Sequence, residues 1–149
     1  MSFPKLLCFV FGFLFVSCEP KETTSAPLDA HLKIAESLYN SNKQNESYVY
    51  YNTSLDFNLA NDNHKRASYC LLQMANIEHS ESDYIHSEIS ATRAIALFDE
   101  HTSVAYQTNA LNVLGQNYTQ LSNFEDALKV YHQVLRIDPD ELTACITKN

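Results

Sequence analysis

The residues best equipped for chemistry in this 149-residue chain lie close together: His79 and His86, with Glu78, Glu81 and Asp83 around them. Imidazoles and carboxylates ligate zinc, but a site on one helix wants histidines four apart on one face, each steadied by a polarising neighbour. His79 and His86 are seven apart with a turn expected between them, so the cluster reads as solvated turn residues. The serines form no GxSxG elbow of the kind that exposes a hydrolase nucleophile. There is no CxxC pair and no Cys/His metal spacing. Tyr48, Tyr50 and Tyr51 form an aromatic cluster better suited to packing than to holding a ligand. No catalytic residue, metal or cofactor is expected, and the chain reads as non-enzymatic.

Composition narrows the classes further. There are 18 Asp+Glu against 10 Lys+Arg, a formal charge of −8. That balance opposes nucleic acid, whose phosphates need clustered cations. The only glycines are Gly12 and Gly115. A phosphate-cradling loop or a β-meander draws on glycine at positive φ, so neither is expected. An acidic, helical chain with enough Leu, Ala, Ile, Val and Tyr for a core is what remains.

The N-terminus carries an address. Lys5 precedes an unbroken apolar run over residues 6–16. It is too short for a spanning helix, which needs about 20 apolar residues, and has the form of an export signal. The sequence Phe15-Val16-Ser17-Cys18 resembles a bacterial lipoprotein signal, with Phe15 where leucine is usual. The resemblance implies a signal peptide over 1–17, lipid on Cys18, and a tether over 18–27. Anchorage in the cell envelope, outer membrane or periplasm-facing, would follow, since more than one acyl chain holds durably. Ordinary cleavage, leaving a soluble secreted or periplasmic protein, is the alternative. Cys8 leaves with the signal. For Cys70, on a helix face, a buried thiol is expected rather than a bridge to Cys145.

A 40-residue repeat organises the rest. Leu114, Gly115, Phe124, Ala127, Tyr131, Val134 and Leu135 correspond to Met74, Ala75, Tyr84, Ser87, Ala91, Ala94 and Ile95. A further 40 back stand Ile34, Ala35, Gln44, Ser47, Tyr51, Ser54 and Leu55. Apolar or small residues recur three and four apart, break, and resume, which is the pattern of paired helices. Helices are expected at 28–41, 45–60, 64–79, 83–98, 102–120 and 124–137, with a seventh over 140–147. Ala35, Ala75 and Gly115 should let the partner helix approach closely, and Tyr84 and Phe124 should fill the gap between helices.

These residues resemble the tetratricopeptide repeat family, most specifically at Leu114-Gly115, Tyr118, Phe124, Ala127, Tyr131 and Asp138-Pro139. The middle copy departs from it, with Glu78 where tyrosine is usual and Asp99 where proline is usual. The resemblance implies an all-α, right-handed α-solenoid over 28–147, built of about three antiparallel helix pairs. It also implies a concave groove, lined by the first helix of each pair, for a peptide or partner protein. It places Asp29, Leu32, Glu36 and Tyr39 there, then Tyr69, Leu72, Asn76 and His79, then Asn109, Asn112, Gln116 and Thr119. This set holds no Lys or Arg, which argues against a basic clamp on a terminal carboxylate. A homodimer through 124–147 is a further expectation. The other reading is a truncated sensor or input region of a membrane-bound signalling protein, of histidine kinase or transcription regulator type.

Overall fold

The computed structural model describes residues 29–99 and 101–138. Within them the chain forms six α-helices and no strand: α1 (Ala30–Asn40), α2 (Gln44–Ala60), α3 (His64–Ser80), α4 (Tyr84–Ala96), α5 (Val104–Gln120) and α6 (Phe124–Ile137). Each helix packs on the next in sequence, and α3 also touches α5. The result is an all-α solenoid of antiparallel pairs. The signal, the lipidated Cys18, the tether, Cys145 and the seventh helix expected at 140–147 lie outside the described residues.

Four of the five connections are the same tight turn, made without glycine. Asn42, Asp62, Ser82 and Ser122 hold φ of 59°, 53°, 64° and 60°. In each, the next amide reaches back five residues, Lys43 to Leu38, Asn63 to Asn58, Asp83 to Glu78 and Asn123 to Tyr118, at 2.7 to 3.0 Å. This closure satisfies carbonyls that a helix end otherwise leaves bare. Short polar residues tolerate the left-handed region better than other non-glycine types, which is how a glycine-poor chain turns this often. The α4–α5 connection is longer and rests on Asp99 instead. Its Oδ1 accepts from the His101 amide at 3.0 Å and from Thr102 Oγ1 at 2.9 Å.

The 40-residue register survives in the packing. Ala35 and Ala75 are fully buried, and Ser47 and Ser87 donate to their carbonyls at 2.8 Å each. In the last pair Gly115 replaces alanine and faces the ring of Tyr131. A β-carbon there would stand 2.7 Å from Tyr131 Cε1, too close for two carbons. Phe124 was expected to fill this gap but is 64 % exposed. The inward position on α6 belongs to Tyr131, seven residues on from Phe124 at the first position of the helix.

The degeneracy of the middle copy has a physical explanation. Tyr48 on α2 donates to Glu78 Oε1 on α3 at 2.7 Å. Forty residues on, the partners are exchanged: Glu88 on α4 is hydrogen-bonded to Tyr118 on α5. The tyrosine missing at position 78 is therefore supplied by position 48. Tyr48 reaches into the second pair rather than packing only within the first.

Asp29 is buried at the start of α1, and was expected to line the groove. It caps the helix by accepting from the Leu32 amide at 3.1 Å, and it also accepts from Ser54 and from Asn58 Nδ2 at 2.5 Å on α2. Burial pushes its carboxyl up, but the bonds from Ser54, the Leu32 amide and Asn58 outweigh burial and hold it below its ordinary 3.8. A carboxyl lowered on folding contributes stability above its unfolded value and loses it as pH falls through its folded value. Between about pH 6 and about pH 3 the wild type should therefore lose more stability than Asp29→Asn. Urea unfolding at each pH checks this, and parallel slopes would refute it.

Candidate functional site

The odd-numbered helices line one open cleft of about 540 Å³. Leu32 and Glu36 of α1 form one wall, Arg66 and Tyr69 of α3 the floor, and Ser103 and Tyr106 at the start of α5 the other wall. Lys65 and His101 stand at its edge. Asn63 starts α3 by accepting from the Arg66 amide at 3.2 Å, which sets Arg66 and Tyr69 one turn apart on the cleft side.

Four tyrosines run inward from this surface. Tyr39 meets Tyr51, Tyr51 meets Tyr69, and Tyr69 meets Tyr106, with centroids 6.5, 6.2 and 5.9 Å apart and all edge to face. Such contacts add roughly 0.5–1.5 kcal/mol each beyond burial. Tyr51 is 1 % exposed and anchors the series in the core. Burial pushes its phenol up to about 12. Burial also raises Tyr69 and Tyr106, and the negative charge of Glu36 adds to both. All three phenols stay protonated at neutral pH, and Tyr69 and Tyr106 give the cleft aromatic surface.

The expected groove residues divide. Tyr69 is central to the cleft, with Leu32 and Glu36 beside it, and half-buried Tyr39 stands behind in the tyrosine series. Asn76 and Asn112 are half-buried, and Asn109, Gln116 and Thr119 are exposed, all outside the cleft. Leu72 is fully buried and lines no groove. His79 is turned away: its Nδ1 lies 2.6 Å from Asn117 Oδ1 on α5, and its ring meets Tyr84 edge-on at 5.4 Å. His86 pairs separately with Asp83 at 2.7 Å. The expectation of a groove without cations is also corrected, since Lys65 and Arg66 border the cleft. Arg66 and Tyr106 are 40 residues apart, at one repeat position a turn before Tyr69 and Asn109. Extending the strip upstream by that turn would have found both.

Fold and cleft together define a helical-repeat protein with an open cleft along its odd-numbered helices. Residues 108–141 match the tetratricopeptide repeat family, so α5 and α6 carry one such repeat, a module generally used for protein–protein interaction. No curated protein matches the chain. Among solved structures, the fold is similar to the crystal structure of BtubC (BKLC) from P. vanneervenii, with a TM-score of 0.67 at 18% identity. That likeness covers 74% of this chain and 46% of the other, so this chain spans just under half the length of that protein.

Proposed function

We propose that this chain is a non-enzymatic interaction scaffold, held at the bacterial envelope by lipid on Cys18, that takes an extended segment of a partner protein along α1, α3 and α5. The observation carrying this reading is the cleft beside Tyr69. It combines aromatic surface from Tyr69 and Tyr106 with cations on one edge and Glu36 on the other. Apolar contact of this kind supplies affinity, and the flanking charges set register and direction. Asn109, Asn112 and Gln116 extend the same face with side-chain amides, which both donate and accept and so suit a peptide backbone.

One experiment tests both halves. A photo-crosslinking residue is placed at Tyr106 in the full chain, expressed in its native host with Cys18 intact or as Cys18→Ala. Cys18-intact protein should carry acyl mass, enter the detergent phase, and give one discrete crosslinked protein that the same probe at exposed Asp56 does not. Cys18→Ala should stay soluble. Partition of Cys18→Ala into detergent would refute the lipid anchor, and identical crosslinks from both probe positions would refute the cleft.

A further inference from the structure

At the other end of α3 from the cleft, the starts of α2 and α4 and the end of α3 enclose an acidic notch of about 390 Å³, lined by Asn45, Tyr48, Glu78, Glu81, Asp83 and His86. Glu78 lies at its inner wall and is only 6 % exposed. Its Oε1 accepts from Tyr48, while its Oε2 is buried with no hydrogen-bond partner. Tyr48 satisfies one oxygen, so the other lacks the hydrogen bond that a buried polar atom ordinarily makes. The exchanged pair shows that the fold does not require this arrangement. There the carboxylate is Glu88, half-buried on α4, and tyrosine takes the α5 position.

We infer that this notch is a second interaction site, which receives a lysine side chain of a partner protein. Charge decides the class of ligand. Glu78, Glu81 and Asp83 contribute three carboxylates against His86, which is already paired to Asp83, and exposed Arg93, whose charge acts on Tyr48 from α4. Among the described residues no group of His, Cys, Asp and Glu has the geometry to hold a metal ion, so the cation is an organic one. Geometry then favours ammonium over guanidinium. A guanidinium binds best through two parallel bonds to both oxygens of one carboxylate, and Tyr48 occupies one oxygen of Glu78. An ammonium is a point charge with three donors, so it can share its protons among the Glu78 and Glu81 carboxylates and Asn45 without needing two parallel bonds to one of them.

The test titrates the full chain with N-acetyl-lysine methylamide, and separately with N-acetyl-arginine methylamide, followed by ¹⁵N NMR. A monovalent probe avoids the general attraction of a polycation to an acidic protein. The lysine probe should give saturable shifts confined to residues 45–48 and 78–86, and the arginine probe should bind more weakly. Glu78→Gln keeps an acceptor for Tyr48 but removes the charge, and should weaken the lysine probe about tenfold. If that variant does not fold, Glu81→Gln on the exposed rim serves instead, with a loss of about threefold. Shifts that never saturate or spread over the whole acidic surface would overturn the site. Unchanged affinity in the folded variant would do the same, and tighter binding of the arginine probe would overturn the choice of lysine.

Discussion

Leu72→Ala is expected to lower the unfolding free energy by about 3 kcal/mol, the usual cost of emptying a leucine site in a packed core. Leu72 shares a three-and-four spacing with Tyr69, Asn76 and His79, which is why it reads as a groove residue. The structure places it at 0 % exposure. The reason is the position of α3, which packs against α2, α4 and α5 together. A helix with neighbours on three sides buries far more than one stripe: residues 67, 68, 70–72, 74, 75, 77 and 78 are all buried. By contrast α1, among the described residues, packs extensively only on α2 and buries only Ala35. Urea unfolding of wild type and variant decides the matter. A loss below about 1 kcal/mol, as for an ordinary surface position, would return Leu72 to the groove.

Asn117→Leu should be similarly damaging, at about 2–4 kcal/mol, although it keeps the side-chain volume. Asn117 is fully buried on α5 and joins three helices. Its Nδ2 donates to Ser87 Oγ on α4 at 2.7 Å, its Oδ1 faces His79 Nδ1 on α3, and Ser87 in turn donates to the Ala75 carbonyl. Removing the amide takes a donor from buried Ser87, which keeps only its bond to the Ala75 carbonyl, and leaves half-buried His79 Nδ1 facing a methyl group. Losing a buried partner costs more than the bond itself contributes. Ser87→Ala in the Asn117→Leu background should therefore cost less than Ser87→Ala alone. Strictly additive losses in that double-mutant cycle would show that the two side chains do not act together.

This contrast separates what could be read from the chain from what could not. The 40-residue period, the helix boundaries to within two residues, and the small residues at 35, 75 and 115 were legible. All three depend on local spacing and on contacts between helices adjacent in sequence. Asn117 carried no such signal. In the sequence it is one amide among many and the first residue of an N-x-S/T pattern, and its role exists only where α3, α4 and α5 meet. Phe124 misled in the opposite direction. It holds an aromatic repeat position, yet the gap beside Gly115 is already filled by Tyr131.

The candidate sites divide along the same line. Tyr69 was found because it lies on the outward strip of a helix whose register the repeat defines. Arg66 and Tyr106 escaped because the cleft extends a turn beyond that strip, where the ends of α3 and α5 draw together. The Tyr48–Glu78 and Glu88–Tyr118 exchange is also invisible in one dimension, since a pair 30 residues apart can swap ends and keep its contact. By itself the sequence determined that this protein is a stack of antiparallel helix pairs, because 3.6-residue periodicity and turn residues act locally. The tertiary structure alone decided which polar side chains face water and which face each other, because that depends on how many neighbours each helix has.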